Sequence, residues 1–168
     1  LWQGLGYYNR ARNLQKAARQ IMEQFGGQFP RSYPDLLSLA GVGDYTAGAI
    51  ASIAFGLPEP AVDGNVLRVV TRITGDPSDI SQAATKKVIR AALAEVIPLQ
   101  APGDFNQALM ELGALVCLPN GAPDCAHCPA HGFCAAHLTG KTAQIPVKGA
   151  KKPRKIEERT VYLLFHCG

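Results

Sequence analysis

Four of the five cysteines in this 168-residue chain lie close together, directly after a segment of strongly helical pattern. Their spacing is Cys-x7-Cys-x2-Cys-x5-Cys. Four thiolates this near to one another in sequence can bind a single metal centre, and the candidates are a [4Fe–4S] cluster and a zinc ion. The pattern therefore predicts a metal-binding loop made of Cys117, Cys125, Cys128 and Cys134.

The spacing favours the cluster over its two alternatives, which stay open. Structural zinc sites built from four cysteines usually contain two closely spaced pairs, and here only Cys125 and Cys128 form such a pair. Disulfide pairs are typical of small secreted scaffolds that lack a sufficient core. This chain is longer than such scaffolds, and 47% of its residues are hydrophobic.

A single carboxylate stands among apolar residues in the segment 61–66, which reads Ala-Val-Asp-Gly-Asn-Val. Asp63 or Asn65 can simply cap the helix that follows, which is the usual role of these residue types. A carboxylate held against an apolar wall at a helix N-terminus can also stabilise a developing positive charge. Capping explains one of the two polar side chains, so both interpretations remain.

A glycine turn forms the third candidate site. The residues Gly41, Val42 and Gly43 separate two predicted helices, and glycine permits the positive φ that such a turn requires. The N–H groups at the start of the second helix are then free to bind a phosphate. A connection between two helices with no ligand fits the same residues.

The elements that position these residues are predicted to be helices. Apolar residues recur at helical spacing through most of the chain, and no alternating pattern of a strand occurs before Val161. We therefore predict an all-α fold, with Ser32, Ser81 and Asp104 as helix caps. Residues 138–159 are rich in Gly, Lys, Pro and Thr, which predicts a linker, and the apolar run 161–165 predicts a first β-strand.

Charge and hydropathy limit the class of protein. The formal net charge is +4, a mild excess that permits a polyanionic partner, although solvated helix faces explain it equally well. No apolar run approaches the roughly 18 residues of a membrane span, so we expect no association with a membrane. The length suits one domain of ordinary size, and we expect a monomer.

Taken together, the motifs resemble the helix-hairpin-helix DNA glycosylases that carry an iron–sulfur loop. Within that superfamily, residues 4–12, which read Gly-Leu-Gly-Tyr-Tyr-Asn-Arg-Ala-Arg, are similar to the adenine DNA glycosylases, which remove adenine mispaired with 8-oxoguanine or guanine. The other segments that carry the resemblance are Leu39–Ala49, Val62–Arg68, Phe105–Cys117 and the four cysteines.

The resemblance implies a role for each candidate residue. Asp63 is expected to be the catalytic carboxylate, which stabilises the oxocarbenium-like sugar as the N-glycosidic bond breaks. The adenine must leave the base stack, and an aromatic wedge such as Tyr7 beside Leu5 helps to open it. The four cysteines are expected to bind a [4Fe–4S] cluster. The expected DNA contacts are Leu5, Tyr7, the main chain of Gly41, Val42 and Gly43, Tyr45 in the adenine pocket, and Asn65 near the sugar–phosphate.

One position indicates the type of reaction. Bifunctional relatives carry a lysine nucleophile at the start of the helix after the hairpin. Tyr45 stands there in this chain, and no lysine occurs between Lys16 and Lys86. We therefore expect a monofunctional hydrolase. The family's general-acid glutamate is expected upstream of Leu1, so these 168 residues alone are predicted to be weak or inactive.

The resemblance also predicts the domain organisation. Residues 1–137 are expected to form the glycosylase core with the iron–sulfur loop at 117–134, residues 138–159 an interdomain linker, and residues 160–168 the start of a Nudix-like domain. Two alternative functions remain: another iron–sulfur glycosylase, of the thymine-glycol or G·T mismatch type, and a non-catalytic DNA-binding module with a structural metal. In a prokaryote the protein is expected in the cytoplasm, at the nucleoid.

Overall fold

The computed structural model describes residues 2–149 and 157–162, and within these ranges the regular elements are helical. The predicted all-α fold is confirmed. No helix in these two ranges is long and apolar enough to cross a membrane. The helices are α1 (Tyr8–Gln24), α2 (Tyr33–Ser38), α3 (Asp44–Ala49), α4 (Gly64–Thr74), α5 (Ala83–Val96), α6 (Pro102–Glu111) and α7 (Ala135–Leu138), with π-helical turns at Ile50–Ala54 and Leu112–Val116 and a 3-10 turn at Cys125–His127.

Two apolar clusters hold the helices together. The first joins α1, α2 and α3 through small and branched side chains, and the second joins α4 and α5. A third, smaller cluster lies where the cysteine loop ends and contains Cys134, Ala136 and Ile145. The helix α4 belongs to the middle of this arrangement, since it packs against α5, α6, α7 and the second π-helical turn. It therefore connects the cysteine loop with the rest of the fold.

The predicted helix caps are partly wrong. Ser32 caps α2, and its hydroxyl accepts a hydrogen bond from the Asp35 N–H at 3.2 Å. Ser81 does not cap α5, because its hydroxyl donates to Asp79 instead, and the helix begins one residue after Gln82. Asp104 lies inside the first turn of α6, which begins at Pro102. Proline is favoured at that position because it has no N–H to leave unpaired.

The chain after α7 returns to the body of the molecule. Ile145 is buried, and the Ile80 N–H donates to the Val147 carbonyl at 3.0 Å within an isolated parallel bridge between Asp79 and Val147. The first part of the predicted linker, up to Gly149, is therefore packed on the core. We call residues 141–149 the return segment.

The predicted β-strand near the C-terminus is untested. Of the expected Nudix-like residues 160–168, only 160–162 are described, and they have no regular secondary structure. The rest of that prediction lies outside the described residues, as does Cys167. The domain boundaries stay predictions.

Candidate functional site: a carboxylate groove and a cysteine loop

Asp63 is both a helix cap and a wall of a groove. Its Oδ1 accepts a hydrogen bond from the Val66 N–H at 2.8 Å, and its Oδ2 accepts one from the Asn65 side-chain amide at 3.2 Å. The side chain is half-buried and lines an open groove of about 360 Å³. Each carboxylate oxygen can accept a further hydrogen bond. Capping therefore holds the carboxylate in place without consuming it.

The loop that leads to Asp63 is fastened by a fully buried amide. Asn106 on α6 accepts from the Ala61 N–H at 3.0 Å, and its Nδ2 donates to the Ser52 hydroxyl at 2.8 Å and to the Glu59 carbonyl at 2.9 Å. Gly48 of α3 packs directly against the backbone of the same loop, and a Cβ at this position would clash with the Pro60 carbonyl oxygen. The backbone before Asp63 is thus closely confined.

Arg90 fastens the same loop from α5. It donates to the Pro60 carbonyl at 2.7 Å and forms a partly buried ion pair with Glu59 at 2.6 Å. Its guanidinium also lies over the Tyr33 ring, 4.4 Å from the ring centre. Tyr33 donates to Asp44 at 3.1 Å, and burial raises the pKa of its phenol to about 12. These contacts connect the Asp63 loop with the start of α3.

The glycine turn, residues 41–43, lies beside α1. One of its three backbone N–H groups is hydrogen-bonded within the described part of the chain, and two are not. Gly41 has φ +80°, and a Cβ there would lie 2.7 Å from the Asn13 Cβ. Both the backbone conformation and the lack of space therefore require glycine at this position. The Val42 N–H donates to the Leu39 carbonyl at 3.1 Å and closes the turn. No partner for the N–H of Gly41 or Gly43 occurs within the described part of the chain.

Tyr45 follows this turn and is 40% exposed. Its hydroxyl lies 3.6 Å from the Met110 sulfur, and its ring lines a second groove of about 480 Å³. That groove shares Val62 and Lys86 with the Asp63 groove, so the two meet at these residues. The structure thus brings Tyr45 and Asp63 to adjoining surfaces.

Leu5 and Tyr7 lie just before α1, with Tyr7 as its N-cap residue, and they are 67% and 75% exposed respectively. Neither side chain is therefore part of the core of the described residues. Tyr7 has φ +49°, a positive value that is uncommon for a non-glycine residue and is often found where function requires strain. The Arg10 guanidinium lies 4.7 Å from its ring centre. Two apolar side chains therefore project from one strained turn.

The four cysteines line a single small pocket of about 20 Å³, together with apolar side chains of α4 and the second π-helical turn. All four are free thiols. Burial, and then the negative charges of the other three cysteines, raise the pKa of Cys125. In residues 2–149 and 157–162 no three or more His, Cys, Asp or Glu side chains are placed to hold a single metal ion. Four thiols around one apolar pocket are the kind of donor set that a cluster uses, although the thiols are not placed around a single metal position.

Two buried arginines on α4 hold the first cysteine, and sequence reasoning missed both. Arg72 donates to the Cys117 sulfur at 3.2 Å, to the Leu118 carbonyl at 3.1 Å and to the Ile145 carbonyl at 2.7 Å. Arg68 donates to the Cys117 carbonyl at 2.7 Å, and burial lowers its pKa. The available signal was the occurrence of two arginines four residues apart among apolar residues of one helix.

Asn65 connects the two candidate sites. Its carbonyl oxygen accepts from Arg68 at 2.9 Å, while its amide nitrogen donates to Asp63. Both ends of the side chain are therefore engaged within the protein, although a sugar–phosphate contact was expected. Asp63, Asn65, Arg68 and the backbone of Cys117 form one continuous chain of hydrogen bonds.

Comparison with known families identifies the fold. Residues 1–99 match the model of the HhH-GPD superfamily of base excision DNA repair proteins. The chain belongs to that superfamily. The resemblance seen in the sequence motifs is confirmed at this level, and the hairpin, Tyr45 and Asp63 all lie inside the matched range.

The curated relatives that the chain resembles in sequence include adenine DNA glycosylases. The chain is 45% identical over 151 residues to an adenine DNA glycosylase of Homo sapiens, covering 89% of this chain and 28% of that protein. It is 40% identical over 152 residues to an adenine DNA glycosylase of Buchnera aphidicola subsp. Baizongia pistaciae, covering 90% and 42%. The chain spans 25% to 45% of the length of such curated relatives.

Solved structures show the same HhH-GPD architecture. A thermostable thymine-DNA glycosylase matches with a TM-score of 0.69 and 31% identity, over 77% of this chain and 59% of that one. A non-covalent endonuclease III–DNA complex matches with a TM-score of 0.66 and 31% identity, over 82% and 61%. The fold therefore agrees with both its sequence relatives and its structural neighbours.

Proposed function

We propose that this chain is the core of an adenine DNA glycosylase that hydrolyses the N-glycosidic bond of adenine mispaired with 8-oxoguanine or guanine. The supporting observation is the Asp63 carboxylate, which is held by two hydrogen bonds and still faces an open groove. Its curated relatives with 36% to 48% identity are adenine DNA glycosylases.

Asp63 stabilises the positive charge that develops on the deoxyribose as the bond to adenine breaks. Electrostatic stabilisation by a preorganised group is worth about 10²–10³ in rate, because the group needs no reorganisation when the charge forms. The fastening of the loop by Asn106 and Arg90 supplies this preorganisation. Asn65 acts as a positioning residue, since its amide fixes Asp63 Oδ2.

Double-stranded DNA is the proposed partner of the exposed features. The open N–H groups of Gly41 and Gly43 contact phosphates, with Val42 at the tip of the turn. Leu5 and Tyr7 enter the duplex as wedges, and apolar wedges of this kind unstack base steps. Two solved structural neighbours are endonuclease III–DNA complexes, which supports this assignment. Tyr45 lines the path by which an extruded adenine reaches Asp63.

A [4Fe–4S] cluster is the proposed cofactor, held by Cys117, Cys125, Cys128 and Cys134. When bound, it supplies four metal–thiolate bonds that tie the loop into one unit. Arg72 places a positive charge 3.2 Å from the Cys117 sulfur and so offsets thiolate charge. Visible absorption with iron and sulfide in the purified protein tests this assignment against zinc.

The reaction is monofunctional, because Tyr45 stands where bifunctional relatives have a lysine. The product is an abasic site with the strand intact, and electrophoresis with and without alkali checks this. In a prokaryotic host we place the protein in the cytoplasm at the nucleoid, which imaging of a fluorescent fusion tests.

The decisive experiment is Asp63→Asn in the intact protein, assayed for adenine release from an 8-oxoguanine·A duplex. We expect release to fall about 10³-fold while duplex binding persists. Asp104→Asn is the matched control, since Asp104 is an exposed carboxylate that lines neither groove, and this variant is expected to retain most activity. Equal activity of the Asp63→Asn variant and the wild type refutes the proposal. Wild-type binding without release indicates a DNA-binding module instead. Release from G·T or thymine-glycol duplexes, but not from 8-oxoguanine·A, indicates the other class of glycosylase.

A further inference from the structure

The groove beside Asp63 carries two lysines from elements far apart in sequence. Lys86 comes from α5 and Lys148 from the return segment, and both side chains are exposed. Two lysines and one aspartate, Asp63, line the groove, so the lining itself has a net positive charge, and the Asp79 carboxylate lies just outside it against Ser81. Lys86 also lines the adjoining groove that reaches Tyr45.

The return segment is anchored on both sides of Lys148. The Ile145 carbonyl accepts from Arg72 at 2.7 Å, and the Val147 carbonyl accepts from the Ile80 N–H at 3.0 Å. On the far side, the Gly149 backbone lies next to the Asp79 carboxylate, and its N–H helps to lower the pKa of that carboxyl. Backbone contacts on both sides of Lys148 therefore fix its position beside the groove.

Asp79 is the main fixed point of this anchor. It accepts from the Ser81 N–H at 2.8 Å and from the Ser81 hydroxyl at 2.7 Å. Together with the Gly149 N–H, these hydrogen bonds lower the pKa of Asp79 to about 2. The carboxylate is therefore charged at every physiological pH, and the anchor is present throughout.

The proposed reaction brings DNA phosphates close to the Asp63 carboxylate, and the two lysines can offset the resulting repulsion. A carboxylate at the base of a groove repels the phosphates of a DNA strand, and the repulsion is greatest for the phosphates that flank the nucleotide over Asp63. Cations on the walls of the same groove offset that repulsion and release counterions when the strand enters. Neither lysine has an ion-pair partner recorded in the described ranges, so both are available.

Building on the proposed glycosylase function, we propose that Lys86 and Lys148 form a two-point phosphate clamp for the DNA strand whose extruded nucleotide faces Asp63. Lys86 stands at the junction of the two grooves and binds a phosphate on the hairpin side of Asp63. Lys148 binds a phosphate on the opposite side. The return segment, which follows the cysteine loop, is in this way a part of the DNA-binding site.

The first test measures binding of the intact protein to a duplex that carries 2′-fluoro-2′-deoxyadenosine opposite 8-oxoguanine, which resists hydrolysis. Lys86→Gln and Lys148→Gln are each expected to reduce the slope of log K against log salt by about 1 between roughly 50 and 200 mM salt. Lys141→Gln is the matched control, because Lys141 is an exposed lysine of the return segment that lines neither groove, and it is expected to leave the slope unchanged.

The second test locates the phosphates. Neutral methylphosphonates replace, one at a time, the phosphates that flank the fluorinated nucleotide, and each duplex is measured with wild type and with the Lys148→Gln variant. The two changes are expected to be non-additive at one phosphate next to the nucleotide, because both remove the same contact. Additive effects at every flanking phosphate, or a Lys148→Gln slope equal to that of Lys141→Gln, overturn the clamp.

A third variant separates charge from placement. Asp79→Ala keeps Lys148 but removes its anchor, and it is expected to lower the slope towards that of Lys148→Gln, with no further loss in the double variant. A wild-type slope in Asp79→Ala overturns the anchoring role. The clamp and the glycosylase function fail independently, since the first is measured by binding and the second by adenine release in the wild type and Asp63→Asn.

Discussion

The loop before Asp63 and the cysteine loop are held in place in different ways. Residues 57–63 are fixed by buried side chains whose hydrogen bonds are complete within the protein, with Asn106 as the centre. The cysteine loop, residues 117–134, is held at its start by Arg68 and Arg72 and at its end by the burial of Cys134. Between these points, residues 119–122 are exposed.

The difference shows which part of the site is preorganised by the polypeptide alone. Asp63 reaches its position through contacts that need no cofactor, and a preorganised charge of this kind is what the role proposed for Asp63 requires. The four thiols share one apolar pocket, and the cluster proposed above adds metal–thiolate bonds that join the parts of the cysteine loop. Arg68 is in contact with both regions.

The largest expected effect comes from removing the centre of the first region. Asn106→Ala leaves the buried Ala61 N–H and the Glu59 carbonyl without their partners, which costs about 3 kcal/mol of unfolding free energy. Chemical denaturation checks this value. Amide exchange at Ala61 is expected to accelerate while iron content stays unchanged. Gln107→Ala, at the adjacent exposed position, serves as the control. A loss of iron equal to the loss of protection contradicts the separation of the two regions.

The reverse pattern is expected for Arg72→Met. This change removes hydrogen bonds to the Cys117 sulfur and to the Leu118 and Ile145 carbonyls, at a cost of about 2 kcal/mol. We expect faster release of iron to a chelator and faster amide exchange in α7, with Ala61 still protected. Arg12→Met, an exposed arginine on α1, is the control. Retention of iron at the wild-type rate would show that Arg72 does not support the cysteine loop.

The smallest effect concerns Tyr33, which supports the Asp63 loop through Arg90. The pKa of Tyr33 is about 12 in the folded protein, above the value near 10 of an unfolded chain. The folded state therefore favours the protonated phenol: this contribution to stability is complete below about pH 10 and is lost as the pH rises through 12. Absorbance titration of tyrosinate checks it. Tyr33→Phe is expected to remove the tyrosine ionisation that occurs at the highest pH. If that ionisation is still present in the variant, the assignment to Tyr33 is wrong.

Much of the site was predictable because it depends on neighbours in the sequence. The Gly41–Gly43 turn, the cap at Asp63 and the placement of four cysteines around one pocket all arise from residues close together in the sequence. Ser81 and Asp104 were wrong as caps for a related reason. The Ser81 hydroxyl is hydrogen-bonded to Asp79 and so does not cap α5. Helix α6 begins at Pro102, two residues before Asp104.

The sequence by itself determined the helical class, the turn, the capping aspartate and the number of thiols, since local backbone preferences and spacing decide these features. Only the tertiary structure decided that Arg72 reaches Ile145, 73 positions away, that Asn106 fastens the loop before Asp63, and that Lys148 lines the same groove as Asp63. These contacts depend on how helices pack and where the return segment crosses them, and no local pattern encodes that geometry.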